Sequence, residues 1–375
     1  MGLDNIKGSR ALVRNLKFCR LWPNRSSVSS TSTSAPRSRL VELMKSFTLH
    51  FIVTFAFTAM MWIEAISSED FEHCTDVLFI TLTMTSLVAK IFNNWHHAKI
   101  ARELLEEWSD SPQFEVRSGP ERDMWEREQR HFLRVALLYS FCSLGVVPCI
   151  FISAAYNYPN ELPFLVWVPF DWQKPAKFWC LYAYQLFAVP FTCLSNVTLD
   201  LLNCYLMLYI SLCFKMLGMR LAVLAPTEHR DSERQLRVQL LELIGLHRRV
   251  KAQAEKIQIF ISKSTLIQIL LSSIIFIFLA MAEYLFAMTL QIYLPSIYGN
   301  DVTHNADRLP TALYSCSWPD MSKPMRRLIL CFMIYLNRPL VLRAGGFFEV
   351  GLPLFTKTMN QAYSLLALLL NVNNK

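Results

Sequence analysis

The residues from Trp179 to Phe214 read WCLYAYQLFAVPFTCLSNVTLDLLNCYLMLYISLCF and contain no basic residue and one acidic residue, Asp200. A bilayer core about 30 Å thick is crossed by roughly 20 residues of helix, whereas this run would form a helix roughly 54 Å long. Pro190 lies within it, so the run fits either one long helix or two shorter ones. We interpret it as membrane-spanning.

The rest of the chain has the same character. Of its 375 residues, 53% are apolar, 18% are charged and only 10 are Gly. Apolar runs separated by basic loops are typical of an integral membrane protein. The other predicted spans are Leu43–Ile66, Cys74–Asn94, Phe132–Ala155, a run from Ile257 to Ile297, and Leu352–Val372. The run after Ile257 is about twice a single span, so we predict a helical hairpin that turns near Glu283.

Basic residues in the loops predict the orientation. They concentrate before the first span, in 95–131, in 215–256 and before the last span, whereas the other connections hold only Lys174, Lys177 and Lys375. Cytoplasmic loops are enriched in Lys and Arg. With one crossing at Trp179–Phe214 and two after Ile257, the chain is predicted to be an all-α polytopic membrane protein. It would have seven transmembrane helices, a cytosolic N-terminus and an extracellular C-terminus.

This topology divides the chain into segments. We expect a basic cytosolic segment at 1–42, spans one to six with their loops at 43–299, a cytosolic helical segment at 300–350, and the last span with a short extracellular tail at 351–375. Leu328–Leu336 is too short to span. The leucines at 236, 240, 243 and 246 share one helix face. Together they predict a cytosolic helical packing layer where subunits could meet.

Several classes of function are disfavoured. The net charge is +8, but the basic residues lie in alternate loops, which argues against nucleic-acid binding. The ten Cys show no CxxC or Cys/His ligand spacing, so no metal or cofactor is expected; a disulfide between Cys74 and Cys180 is left open. No HExxH, P-loop, GxSxG or GxGxxG motif indicates an enzyme. Asp200 and Glu283 are expected to be snorkelling or capped carboxylates near helix ends, with an ion site as the alternative.

The last span carries a polar stripe on one helical face. It is formed by Lys357, Asn360 or Gln361, Ser364, Leu368 and Asn371, which recur at spacings of four and three. One interpretation is packing against a neighbouring helix. The other is a pore lining, in which Leu368 and Val372 form a hydrophobic constriction beside Asn371 that gates by dewetting.

Spans two, three, four and six are rich in aromatic and soft side chains in their outer halves. The residues predicted to line a ligand pocket are Phe79, Thr83, Val147, Phe151, Tyr184, Phe187, Phe191, Tyr284 and Met288. Such a pocket would hold a small volatile molecule mainly by dispersion. Ordinary helix packing is the alternative for each of them.

The sequence resembles the insect odorant receptor family. The resemblance is most specific in the last third, in Ser296-Ile-Tyr-Gly-Asn300, Leu313-Tyr-Ser-Cys-Ser-Trp318, Arg338-Pro-Leu-Val-Leu-Arg-Ala-Gly345, Leu352-Pro-Leu-Phe355 and Ala362-Tyr-Ser-Leu-Leu-Ala-Leu-Leu369. Weaker similarities are Leu21-Trp-Pro23, Pro169-Phe-Asp171 and Asp200. The resemblance covers almost the whole chain.

The resemblance implies a ligand-binding subunit that forms heterotetramers with an odorant co-receptor. It implies an odorant-opened, non-selective cation channel in the plasma membrane of olfactory sensory neurons, with a constriction at Leu368, Asn371 and Val372. A gustatory receptor of the same superfamily is the nearest alternative. A G-protein-coupled receptor is disfavoured by the orientation and by the missing Asp-Arg-Tyr and Asn-Pro-x-x-Tyr motifs. A secondary transporter would show internal repeats and broken helices.

Overall fold

The structure is a computed structural model that describes residues 7–22, 35–68, 71–157, 161–224, 230–278 and 282–373. The helices are α1 Lys7–Phe18, α2 Ala35–His50, α3 Ala56–Ser67, α4 Phe71–Asp110, α5 Gly119–Asn157, α6 Pro175–Ala222, α7 Arg230–Phe278, α8 Ala282–Asp307, α9 Leu309–Tyr314, α10 Lys323–Leu336 and α11 Leu352–Asn373. A π-helical segment, Phe51–Phe55, joins α2 to α3, and 3₁₀ turns lie at Pro112–Phe114 and Trp318–Asp320. Strands β1 Arg343–Ala344 and β2 Phe348–Glu349 form a small antiparallel hairpin in which Arg343 pairs with Glu349.

The fold is that of a seven-helix membrane protein. Within the described residues, five helices are long and apolar enough to cross a bilayer: Met44–Ser67, His73–Asp110, Gly119–Asn157, Pro175–Ala222 and Glu233–Ile275. Helices α8 and α11 pack along α7, and they correspond in sequence to the predicted sixth and seventh spans. Large apolar side chains on the outside of the bundle, such as Phe141 and Ile152, are exposed. A lipid environment would cover such a surface.

The two long apolar runs fold as the loop charges predicted. Helix α6 continues through Pro190 as a single helix, and the run after Ile257 forms two helices, α7 and α8. Helix α7 ends at Phe278 and α8 begins at Ala282, so Glu283 belongs to the first turn of α8. The all-α, seven-helix prediction is therefore confirmed.

Helix α6 is the centre of the bundle. Every residue of its most apolar window is buried, and α6 packs against α1, α5, α7, α8 and α9. A helix that is apolar on all sides has no face suited to water and is stable only when it is surrounded. The stretch with the most continuous apolar sequence therefore becomes the axis around which the other helices pack.

Beyond the apolar runs, several helices extend into a layer of amphipathic packing. Leu236, Leu240, Leu243 and Leu246 on α7 are all buried, which confirms their predicted common face. Helix α10 buries Ile329, Phe332 and Leu336 but leaves Leu330 and Ile334 exposed. The short apolar run near residue 330 is thus a helix that lies against the bundle.

Ion pairs concentrate in the same layer. Arg220 binds Glu121 at 2.9 Å and also donates to the backbone oxygen of Glu115 at 2.8 Å. Lys215 pairs with Glu128 at 2.7 Å. Exposed pairs contribute little each, whereas the Arg220 and Glu121 side chains are nearly buried and tie α5 to the end of α6.

Two glycines in the motifs that carry the resemblance have a steric role. Gly345 has φ of 60°, a left-handed conformation that favours glycine, and its amide donates to the backbone oxygen of Ser262 on α7. Gly299 on α8 lies against the segment that precedes α11. A Cβ at this position would lie 2.5 Å from the backbone oxygen of Val350. The β-hairpin segment therefore packs on α7 and α8 where only glycine fits.

We expect Gly299→Ala to destabilise the protein by about 1–3 kcal/mol, because a backbone atom must move to admit the methyl group. The measurement is thermal unfolding of the purified protein in detergent. Gly218→Ala on α6 is the matched control, since its nearest contact would be an ordinary 3.6 Å. An equal loss of stability in the two variants would contradict this explanation.

The last turns of α8, beyond residue 299 where the predicted sixth span ends, carry a carboxyl group in an unfavourable place. Burial and the nearby Glu128 raise the pKa of Asp301 above its ordinary value of 3.8, although His304, Lys215 and His131 act in the opposite direction. The unfolded chain therefore releases this proton at a lower pH than the folded chain does. Stability linked to Asp301 is highest below pH 3.8 and is lost as the pH rises through the raised pKa.

We predict that Asp301→Asn raises the thermal stability at neutral pH, because the amide keeps the shape and removes the half-buried charge. The gain should shrink as the pH is lowered towards 3.8. Unfolding of both proteins across this pH range measures the effect. Asp307→Asn, at an exposed position on the same helix, is expected to have little effect. A gain that does not depend on pH would argue against the titration of Asp301 as its cause.

Candidate functional site

A cavity of about 110 Å³ lies between α4, α5, α6 and α8. Each helix contributes residues spaced three or four apart, which places them on one face. The lining residues are Ile80, Thr83, Met84 and Leu87 on α4; Tyr139, Ser143, Val146, Val147 and Ile150 on α5; Val189, Thr192, Cys193, Asn196 and Val197 on α6; Met288 and Gln291 on α8; and Phe164. The wall is mostly apolar, which suits a ligand held by dispersion.

Phe164 covers the cavity from the connection between α5 and α6. Its backbone N–H donates to Gln185 Oε1 at 3.1 Å, and its backbone oxygen accepts from Gln185 Nε2 at 2.7 Å. Both amide atoms of a buried side chain are thus used to hold one loop residue. The Phe164 ring packs against Phe57 and Phe151. The roof of the cavity is therefore an ordered part of the fold.

At one edge of the cavity lies a buried ion pair. Lys90 Nζ is 2.6 Å from Asp200 Oδ1 and donates to Asn196 Oδ1 at 2.8 Å. The other carboxylate oxygen, Asp200 Oδ2, accepts from Tyr139 at 3.2 Å and from Gln291 Nε2 at 3.0 Å. The Lys90 and Asp200 side chains are 2% and 3% exposed, so this ion pair is shielded from lipid and from bulk water.

This geometry corrects one expectation. Asp200 was expected to be a snorkelling or capped carboxylate near a helix end, but it lies inside α6 and pairs with a lysine. Lys90, a basic residue within the apolar run of the second span, was not predicted to belong to a site. Two opposite charges in neighbouring apolar runs are the signal that could have revealed the pair, since each charge is costly unless it is compensated. Asn196, which is part of an Asn-Val-Thr sequon, accepts a hydrogen bond from the Lys90 member of this ion pair.

The residues predicted for the pocket are found in three kinds of place. Thr83, Val147 and Met288 line the cavity. Phe79 is buried beside Met288, and Phe151 packs behind the roof against Phe164 and Tyr182.

The aromatic residues predicted on α6 lie on another side of that helix. Tyr184 donates to the backbone oxygen of Ile52 at 2.7 Å. Phe191 is buried against His50, and Phe187 stacks on Phe191 with 57% of its surface exposed. None of the three lines the cavity as the described residues form it. The side chain of Tyr284 lies outside the described part of the structure.

An apolar cluster links the cavity to the last helix. Met288 on the cavity wall packs in a group with Phe79, Leu82, Ile275, Ile292 and Ala362. Ala362 belongs to α11, and Phe355 and Met359 of the same helix pack against the cluster. The cavity wall at Met288 and α11 therefore belong to one packed apolar cluster.

Helix α11 leaves its polar stripe uncovered within the chain. Lys357, Asn360, Gln361 and Ser364 are exposed and line an open cleft beside Ser273 and Ile274 of α7. Thr358 and Ala362, on another face of α11, are buried. The side chains of Leu368, Asn371 and Val372 lie outside the described part of the structure, although α11 extends through these positions.

Over the described ranges, no group of three or more His, Cys, Asp or Glu is placed to hold a metal ion. All ten cysteines are free, including Cys74 and Cys180. Two candidate sites in this part of the chain are the apolar cavity with its charged edge and the open cleft along α11.

Comparisons with known proteins agree with this architecture. The family model described as 7tm Odorant receptor matches residues 70–363. The chain is 35% identical to Odorant receptor 94a of Drosophila melanogaster over 390 aligned positions, covering 99% of both proteins. It is 25% identical to Odorant receptor 46a, isoform B, of the same species, covering 80% of this chain and 82% of that protein.

Solved structures share the fold. The olfactory receptor OR5 of Machilis hrabei in complex with eugenol superposes with a TM-score of 0.81 at 17% identity, covering 99% of this chain and all of that one. A second structure of the same receptor gives a TM-score of 0.80 at 18% identity, covering 99% of this chain and all of that one. These relatives belong to a receptor family and not to an enzyme family. The chain is a multi-pass membrane protein that belongs to the insect odorant receptor family.

Proposed function

We propose that this chain is an odorant receptor subunit that binds a small volatile ligand in the cavity between α4, α5, α6 and α8. With co-receptor subunits it would form an odorant-gated, non-selective cation channel. Its place would be the plasma membrane of olfactory sensory neurons. Family membership supports odorant binding, and the geometry of α11 supports the channel.

The size and lining of the cavity favour a compact ligand. An apolar cavity of about 150 Å³ is large enough for benzene, and this one measures about 110 Å³. Modest breathing of the four helices would admit a volatile molecule of that class. Its affinity would come mainly from dispersion contacts with valine, isoleucine and methionine side chains.

The polar stripe on α11 is the observation that carries the channel proposal. A helix that packs in a membrane turns its polar side chains toward protein, because they are costly in lipid. Here four polar positions on one face of α11 are exposed in the single chain, while another face, which includes Leu354 and Ala362, is buried. Several subunits arranged around these stripes would enclose a water-filled path.

Gating would follow from a population shift. A ligand that fits the cavity better when Met288 moves outward stabilises the conformation with α8 displaced. Met288 and Ala362 belong to one apolar cluster, so the same conformation can move α11. A constriction at Leu368 and Val372 would then hydrate and conduct.

Val147→Phe is expected to weaken the response, because the larger side chain takes up space on the cavity wall. An agonist of the wild-type channel should need at least about tenfold higher concentration for half-maximal current, equal to about 1.4 kcal/mol. The measurement is whole-cell recording with the co-receptor present. Ile152→Phe, at a position on the same helix that is 69% exposed, is the control. A normal response from Val147→Phe would place the ligand elsewhere.

Ser364→Cys tests the pore. A thiol that faces water ionises and reacts with a charged thiol reagent, whereas a thiol in lipid stays protonated. We expect the reagent to block most of the odorant-evoked current of Ser364→Cys. The current of Tyr363→Cys, which changes an exposed neighbour outside the stripe, should persist, as should that of wild type treated in the same way. A block shared equally by the two variants would contradict a pore lined by the stripe.

A further inference from the structure

Two primary amides stand where the cavity meets the buried ion pair. Asn196 of α6 and Gln291 of α8 both line the cavity, and Gln291 is only 4% exposed. A primary amide has one accepting oxygen and one donating nitrogen, so a partner on one atom decides which atom faces the other way.

The ion pair decides the orientation of both amides. The Lys90 ammonium can only donate, and it donates to Asn196 Oδ1 at 2.8 Å. The Asp200 carboxylate can only accept, and its Oδ2 accepts from Gln291 Nε2 at 3.0 Å. Asn196 is therefore left with its N–H groups, and Gln291 is left with its carbonyl oxygen. Bonds to charged groups are the strong ones, so these orientations are firmly held.

The remaining amide atoms are Asn196 Nδ2 and Gln291 Oε1. Among the described residues, no group hydrogen-bonds to Asn196 Nδ2 or to Gln291 Oε1. A hydrogen bond formed with either atom would add to the affinity of a guest molecule. The cavity thus presents one donor and one acceptor that a guest molecule can satisfy.

We propose that the cavity selects small volatile alcohols over ketones and hydrocarbons of the same shape. The inference rests on the cavity being the ligand site of the proposed function. The ligand hydroxyl donates to Gln291 Oε1 and accepts from Asn196 Nδ2, while its hydrocarbon part contacts Val147 and Met288. Of the two amides, a ketone can use only the Asn196 donor. A hydrocarbon leaves both amides without a partner.

The test uses three probes of matched shape: cyclohexanol, cyclohexanone and methylcyclohexane. Binding to the purified full-length chain in detergent is measured from the rise in unfolding temperature with probe concentration. We expect the wild type to bind cyclohexanol most tightly, then cyclohexanone, with methylcyclohexane weakest. One hydrogen bond to a neutral amide corresponds to about tenfold in Kd.

Two variants separate the roles of the amides. Both keep Lys90 and Asp200, and each removes one hydrogen bond to the ion pair. Gln291→Met keeps the length of the side chain and removes the acceptor, so it should weaken cyclohexanol about tenfold and leave cyclohexanone unchanged. Asn196→Leu removes the donor and should weaken both. Gln235→Met, at an exposed position on α7, is the control for the substitution itself. Unfolding measured without probe shows which variants are folded. If Asn196→Leu does not fold, Gln291→Met alone decides the question.

The inference is overturned if methylcyclohexane binds as tightly as cyclohexanol, if no probe stabilises the wild type, or if Gln291→Met weakens alcohol and ketone equally. Recording from cells that also express the co-receptor provides a separate measurement. If the predicted binding pattern is found but no probe evokes current, the channel proposal fails and the alcohol site stands.

Discussion

The ion pair between Lys90 and Asp200 is the interaction on which the arrangement of the bundle depends. Removing a charge from water costs several kcal/mol even after relaxation, and this cost is offset only by good geometry and further hydrogen bonds. Here the partners come from α4, α5, α6 and α8. Apolar helices in lipid could slide or rotate past one another at little cost, but a shift of any of these four would leave a buried charge less well compensated.

Much of the fold could be predicted from the sequence because membrane insertion depends on two features that can be read along the chain, the length of the apolar runs and the charge of the loops. Apolar length predicted the spans, and loop charge predicted that Trp179–Phe214 forms one helix and the run after Ile257 forms two. Leu236, Leu240, Leu243 and Leu246 were predictable because helical periodicity places them on one face and a packed layer buries that face. Lys90 escaped prediction because its partner lies 110 positions away. A local pattern does not say which helix faces meet.

The site shows the same division between local and long-range information. The four spans named from composition are the four that surround the cavity, and Thr83, Val147 and Met288 are among its lining residues. Tyr184, Phe187 and Phe191 were chosen for their chemistry, yet α6 turns them toward Ile52, His50 and the outside of the bundle. Residue type indicates what a side chain can bind. Only the packing of neighbouring helices decides where it points.

The wall of the cavity differs from its edge in how it tolerates change. Exchanges of similar volume among valine, isoleucine, leucine and methionine usually cost less than about 1.5 kcal/mol, whereas loss of one member of a buried charge pair costs about 3–5 kcal/mol. Residues of the cavity wall can therefore be exchanged at a smaller cost in stability than Lys90 or Asp200 at its charged edge. New olfactory preferences can arise within an inherited scaffold, one aliphatic exchange at a time, with little risk to folding.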